Sequence, residues 1–558
     1  MNGMPTSRHP NQLREALRLH QAGQPREARS RYERLLRREP KNADLLKLQG
    51  IACTQLGDFG GALGYLQRAL QLRPDDAEVL MQLGSACTQL RKDEEALSLL
   101  GRAVDLAPDH PQAHYLLAQQ LMQSGQHAHA LARYSLVLEK DPSHFGAWRG
   151  SGSAAYTLGH LRDALDFYAM ALRLQPDDAD ILNDRAAIHA QMGDHAKALA
   201  DYDQLLKNNP DYPKGWNNRG VCLDELGRVD EALESFDRAI ALDPQFAEPH
   251  SNKGKALMQH ARAAEAIAAC DRALALRRDY PDAEMNRSMA VLATGALRQG
   301  FADYESRWRR HGALRARGLA PRWMGHEDLT GKTLLIIAEQ GLGDTLQFCR
   351  YALMAVGRAG RVILQAQPPV ARLMQSLHPQ VQVVDTSAPL PPHDLYCPMM
   401  SLPLAFGTDL DSIPAPVPYL HADPQAVAAW KERLGADPRL HVGLVWSGGF
   451  RQDQPELWAV NRRRNIALEL LAPLADAPAR FISLQKGADG EEQLHRLAAR
   501  GWNGPALEDR TAMLGDFADT AALIANLDLV ISVDTSTAHL AAALGKDVEG
   551  GYVIANLA

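Results

Sequence analysis

Cysteine, aromatic side chains and positive charge are all scarce in this 558-residue sequence. The six cysteines form no CxxC and no metal-like cluster, which excludes a disulfide framework and makes reducing cytoplasm the expected compartment. Aromatics amount to 6%, few for a β-sandwich or a carbohydrate-binding β-module. Acidic residues outnumber basic ones, 67 to 60, against a general nucleic-acid binder. Apolar runs such as Leu334-Leu335-Ile336-Ile337-Ala338 fall far short of the ~18 residues a membrane span needs. The start, MNGMPTSRHPNQ, has no apolar h-region, so a cleaved signal peptide is not expected. No HExxH occurs, and no DxD lies at a strand end, so neither a metal nor a cofactor is expected.

What is present is an ordinary globular balance, 46% hydrophobic and 23% charged, and a clock. Length alone gives a prior of about 3.7 domains, a figure that internal repeats invalidate. Prolines 40, 74, 108, 142, 176, 210 and 244 follow one another at intervals of 34. Ala precedes each by twelve residues (Ala28, Ala62, Ala96, Ala130, Ala164, Ala198, Ala232), and Gly precedes each by seventeen, with Arg91 the exception. Gly or Ala recurs twenty-four residues before each Pro (Ala16, Gly50, Gly84, Ala118, Gly152, Ala186, Gly220). Phrases such as Arg-Ala-Leu-Gln-Leu at 68–72 and Arg-Ala-Val-Asp-Leu at 102–106 recur in phase. Small residues let antiparallel helices approach, Gly ends the first helix, and Pro opens the next turn.

This helix–turn–helix unit resembles the tetratricopeptide repeat. Seven regular units run from 9 through 246. An eighth at 247–280 has Arg278 in place of Pro, and a degraded ninth runs to about 314. The resemblance implies an α-solenoid over 9–314, with a concave face built from the first helices that binds a protein or peptide partner. Asp184, Asn218, Asn252 and Asn286 share one repeat position. They resemble the asparagine ladder of O-GlcNAc transferase repeats and form the expected partner-binding groove; the alternative is that Asn is simply common there. Cys53 and Cys87 also share a phase and read as small buried hydrophobes rather than a redox pair.

After Trp308 a short connector, expected over 315–331, leads to a different rhythm. Strands are expected at 332–339, 361–366, 380–384, 440–446, 479–484 and 528–533, with helices between them, including 424–435, 466–475, 489–499, 518–526 and 536–544. Alternating β and α with apolar strands implies parallel sheets covered on both faces. Two sets imply two Rossmann-like lobes, 332–420 and 421–558, with ligands at the strand C-terminal ends.

Four loops there carry chemistry. Gly341-Leu342-Gly343-Asp344 follows the first strand, where glycines permit a tight turn and close ligand approach, and where Asp344 also reads as a helix cap. Asp534-Thr535-Ser536-Thr537-Ala538-His539 opens a helix with hydroxyls and backbone N–H groups suited to a diphosphate; His539 reads either as a phosphate donor or as a helix residue facing a loop. Trp446-Ser447-Gly448-Gly449 precedes the basic run Arg462-Arg463-Arg464, of which Arg464 is the candidate, the run otherwise being a solvated turn. Gln485-Lys486-Gly487 adds Lys486. Fixed positive charge there would stabilise a leaving diphosphate without a metal.

The phrases AEQGLGDTLQFCRY, GLVWSG, SLQKG and DFADTAALIANLDLVISVDTSTAHLAAALGK resemble bacterial proteins that join tetratricopeptide repeats to a glycosyltransferase family 9 (heptosyltransferase-like) region. The resemblance implies a GT-B arrangement and a nucleotide-sugar as donor substrate. It makes Asp344 the base that deprotonates the acceptor hydroxyl, and 534–539 the diphosphate contact. Gly341, Gly343, Ser447, Arg464 and Lys486 complete the expected donor site. Family members continue beyond the position of Lys546 with Pro, another apolar strand and more helix, whereas here Asp547 to Ala558 follow; the second lobe is therefore expected to be incomplete.

Three functions fit. The first is an inverting, metal-independent glycosyltransferase whose repeats present a protein or glycan acceptor. The second is a protein–protein interaction scaffold with an inactive or incomplete transferase-like domain. The third, a nucleotide-binding regulator, has only the phosphate-type loops in its favour.

Overall fold

A computed structural model describes residues 7–309, 320–448, 465–500 and 502–549. Before the first strand, helices run in antiparallel pairs, a repeat region followed by two β-sheet lobes of GT-B type. Successive first helices begin at Ala43, Ala77, Pro111, Phe145, Ala179, Pro213, Ala247 and Pro281, so the 34-residue interval persists through the two units that lose the consensus.

The clock has a local physical cause. Each Ala twelve before the Pro is fully buried. At the position twenty-four before it, a Cβ added to Gly50, Gly84, Gly152 or Gly220 would sit 2.5–2.6 Å from Leu66, Leu100, Tyr168 or Phe236 of the same helix pair. The glycines that end first helices, such as Gly23, Gly57 and Gly125, hold φ of 72–75°, the left-handed cap that glycine adopts without steric cost. Arg91 (φ 57°) and Ala261 (φ 58°) take the same conformation where the sequence departs from Gly. The recurrent phrase joins neighbouring repeats: Arg68 donates to the Pro40 carbonyl (3.0 Å), Arg102 to Pro74 (3.1 Å) and Gln204 to Pro176 (3.0 Å). Cys53 and Cys87 are buried free thiols; burial raises both, Cys87 to about 11.

The chain forms two compact units, 1–210 and 211–558. The first holds six helix pairs. The second holds the last three pairs together with the α/β region.

In that region β1 (Thr333–Ile337), β2 (Arg361–Ala366), β3 (Val381–Asp385) and β4 (Leu395–Pro398) form one sheet, ordered β3-β2-β1-β4. A second sheet contains β5 (Leu440–Val445), β6 (Ala479–Ser483), β7 (Leu507–Asp509), β8 (Leu529–Ser532) and β9 (Asp547–Glu549), ordered β7-β6-β5-β8-β9. All pairings are parallel, so each sheet presents its strand C-termini along one edge. The unexpected strands β4, β7 and β9 all lie at sheet edges. The α-helix expected at 466–475 is instead a 3-10 helix, Leu468–Asp476; the Pro473 ring inside it would clash with the carbonyl four residues back in an α-helix. Trp323, within the expected connector, is buried in the first-lobe core, its backbone N–H on the Tyr396 carbonyl at 2.7 Å and its indole N–H on the Glu327 carbonyl at 3.0 Å. One apolar cluster runs from Phe301 of the last helix pair through Leu346 and Phe348 to Leu540 and Ala543 of the second lobe.

Candidate active site

In each sheet the strand order reverses beside its first strand, between β1 and β4 and between β5 and β8. Loops leaving these points diverge and open a crevice at the strand C-termini. The loop after β1 enters the helix Leu342–Phe348; the loop after β8 enters Ser536–Ala543. These two helices pack against one another across the lobes.

Gly343 is where they meet. A Cβ there would lie 2.9 Å from His539 Cδ2 and 3.6 Å from Ser536 Cα. Neither Gly341 nor Gly343 has positive φ, so the expected tight turn does not explain them; close approach of the second lobe explains Gly343. Asp344 accepts the Gly341 N–H at 2.9 Å, so it does cap its helix. On the opposite side His539 Nε2 lies 3.8 Å from Asp534 Oδ1, and the Thr535 and Ser532 hydroxyls are 3.0 Å apart. Thr535 is the extended residue before the helix, and its methyl is the side Gly448 faces, at 3.8 Å from a Cβ built there.

Ser447 is buried at the end of β5. Its N–H and that of Trp446 both donate to Gln485 Oε1 (2.8 and 3.1 Å), and Gln485 Nε2 returns a bond to the Ser447 carbonyl at 2.8 Å. Asn465 Oδ1 accepts the Gly448 N–H at 2.8 Å. Lys486 is exposed, and its ammonium donates to the Leu514 carbonyl. Arg464 lies outside the described residues.

Three groups were not read from the sequence. Gln485 stands inside the SLQKG phrase beside the charged Lys486, and its amide is what fixes the loop. Gln367, after β2, does the same in the first lobe, donating to the Gln340 carbonyl (2.8 Å) and accepting from Thr345 Oγ1 (2.9 Å). Between the lobes, Arg372 grips Asp516 with Nε on Oδ2 at 2.7 Å and also binds Asp519. Burial works against the Asp516 charge, but Arg372 and the backbone N–H groups of Asp519 and Ala518 bring its net position below the ordinary carboxylate range.

Tetratricopeptide-repeat models match 13–77, 54–119, 115–179 and 183–245, and the glycosyltransferase family 9 (heptosyltransferase) model matches 485–552. The chain joins tetratricopeptide repeats to a glycosyltransferase family 9 region. The family 9 match includes Gln485, Lys486 and the whole 534–539 segment. A curated relative, Protein FlbA of Caulobacter vibrioides, is 30% identical over 286 residues, 46% of either chain; the chain therefore spans about half the length of the curated relative it matches. Among solved structures, YrrB, described as a TPR protein with an unusual peptide-binding site, is 23% identical with a TM-score of 0.30, covering 33% of this chain and 95% of that one. A tetratricopeptide repeat protein from Parabacteroides merdae is 20% identical with a TM-score of 0.34, covering 42% and 93%.

In the repeats, the Asn ladder bonds from one helix pair to the preceding one. Asn252 Nδ2 donates to Asn217 Oδ1 (2.9 Å), Asn217 Nδ2 to Asn218 Oδ1 (3.1 Å), and Asn286 Nδ2 to the Ser251 hydroxyl (3.2 Å) and carbonyl. Asp184, in the other compact unit, accepts from the Tyr168 hydroxyl at 3.3 Å. Among the described residues no group of three or more His, Cys, Asp or Glu is placed to hold a metal, and no helix is long and apolar enough to cross a membrane.

Proposed function

We propose that the chain transfers a sugar from a nucleotide-sugar to a protein or glycan presented by its repeats, with inversion and without a metal. The observation that carries this reading is the seating of Gly343 against His539 and Ser536, which sets the Asp344 loop opposite the 534–539 segment. Asp344 takes the proton from the acceptor hydroxyl as its oxygen attacks the anomeric carbon. The bond from that carbon to the diphosphate breaks with its electron pair leaving on phosphate. Thr535, Ser536, His539 and the following helix N-terminus receive the developing charge, with Lys486 and Arg464 as further cations and Asp534 shaping the loop. Ser447, Gly341 and Gly343 are proposed to line the donor site.

The repeats supply selectivity. Asn218, Asn252 and Asn286 are proposed as a partner-contacting column of amide side chains within one compact unit, and Asp184 as a separate partner contact in the other. The scaffold reading draws on the same column and needs no chemistry.

Thermal stability measured with a panel of nucleoside diphosphates and nucleotide-sugars tests the proposal. Wild type should shift upward and Asp534→Ala should not; no shift in wild type leaves the scaffold reading. Asp344→Asn should keep the shift and abolish transfer. Asn218→Ala with Asn252→Ala should weaken a captured acceptor and leave the nucleotide shift intact.

A further inference from the structure

At the strand ends of the first lobe the end of the repeats packs against the lobe itself. Where β1 and β4 diverge, Glu339 and Ser401 face the short helical turn Glu305–Arg309 that ends the repeats. Arg307 is buried there. Its Nη2 donates to Glu339 Oε1 (2.8 Å) and Ser401 Oγ (2.7 Å), and its Nη1 to Glu305 Oε1 (2.7 Å). The guanidinium lies 4.8 Å over Tyr304 and 4.7 Å over Trp308. Arg322, stacked on the other side of Trp308, pairs with Glu305 and donates to Ser401 Oγ at 3.0 Å.

Glu339 and Arg307 expose only 4% and 6% of their side chains. A buried carboxylate of this kind needs its cation. Burial raises the Glu339 carboxyl, opposed by Arg307 and by the Met399 and Met400 backbone N–H groups. Glu339 stands two residues before Gly341, and the loop it begins is held on its far side by Gln367.

We infer that Arg307 is a positioning residue for the Asp344 loop: the end of the repeat array clamps the strand terminus from which that loop departs. A partner that shifts the last helix pair then shifts the loop. The inference rests on the transferase reading for the role of Asp344, and on nothing else in it.

Hydrogen exchange of the full-length chain, followed in peptides spanning 338–348, tests it without substrate. Arg307→Met should lower protection there by roughly tenfold or more at about pH 7.5, while the helix pair 247–276 keeps its wild-type values. Protection should return as the pH is lowered, because burial already raises the Glu339 carboxyl and without its cation it takes a proton more readily; Glu305, Arg322, Tyr304, Tyr396 and the buried Cys397 are the other ionisable neighbours. Arg307→Met combined with Glu339→Gln should recover protection at about pH 7.5. Arg307→Lys, which keeps the charge but not the fork, should fall between. Unchanged protection at 338–348, or a pH-independent loss shared by the whole lobe in both single variants, overturns the inference. A UDP or ADP thermal shift run alongside separates the outcomes: its absence in wild type sinks the transferase reading alone, and its persistence beside unchanged exchange sinks only this one.

Discussion

The repeats and the lobes both depend on glycine to bring backbone close to a neighbour, yet they do so at very different range. Gly152 meets Tyr168 of its own helix pair, and the same contact recurs at Gly50, Gly84 and Gly220. Gly343 meets His539 of another lobe, once. A local contact can be repeated by duplicating sequence, and so it becomes periodic. A contact between lobes has no period. The two lobes do share a device: Gln367 after β2 and Gln485 beyond β6 each tie down the loop that leaves the neighbouring first strand. They differ in burial. Gln485 is 3% exposed and satisfies two buried N–H groups, whereas Gln367 is only partly buried.

That difference gives the largest expected effect. Gln485→Ala leaves the Trp446 and Ser447 N–H groups without their acceptor, and should cost about 2–4 kcal/mol in the second lobe. Gln367→Ala should cost about 1 kcal/mol, because water replaces its bonds. Urea unfolding followed by Trp fluorescence measures both, and equal losses would mean that burial does not separate the two amides.

Next comes range itself. Gly343→Ala should cost about 1–3 kcal/mol, since the imidazole of His539 must move. Gly152→Ala should cost less, because neighbouring repeats carry Ala118 and Ala186 at this position opposite Tyr134 and Tyr202. Parallel melting curves decide the order; a reversed order would mean that the lobe contact is the softer one.

A smaller pair tests the helix caps. A Cβ on Gly125 has open space around it, but φ is 73°, so Gly125→Ala should destabilise its repeat by about 1 kcal/mol. Arg91→Gly should do the reverse by about 0.5–1 kcal/mol. Local hydrogen exchange reads each repeat separately.

The smallest effect is the bridge between lobes. Arg372 is half exposed, so Arg372→Ala should cost under about 1 kcal/mol. Asp516 is depressed in the folded state, so its contribution is present above the ordinary carboxylate pKa of about 3.9 and is lost as pH falls through the lower folded value. The stability gap between wild type and Arg372→Ala should hold from neutrality to about pH 4 and then close. A gap that stays constant below that range would remove Asp516 as the partner.

The legible parts of the molecule share a reason. Strands β1, β2, β3, β5, β6 and β8 were readable from their apolar runs. The three missed strands are short edges: β4 ends in Pro398, and β7 and β9 read Leu-Glu-Asp and Asp-Val-Glu. The edge strands β7 and β9 carry little apolar surface, and β4 is only four residues long and ends in a proline, so none of the three announces itself in the sequence. The candidate loops were readable because Gly, Asp, Thr and His sit where strands give way to helices. Gln485 and Gln367 were not, since an amide becomes a clamp only when two strand ends arrive beside it. Arg307 was hidden for the same reason: it lies near the end of the degraded ninth repeat, with no motif around it.

The sequence by itself determined the repeat length, the small residues of the helix contacts, the left-handed caps and the change to an α/β rhythm. All of these are interactions within a few turns or adjacent strands, whose geometry each segment specifies alone. Tertiary structure decided that Gly343 faces His539, that Gln485 holds Ser447, and that Arg307 reaches Glu339. These contacts pair polar groups brought together from distant segments by burial of apolar surface, a force that is not directional and leaves no record of which polar groups it will bring into contact.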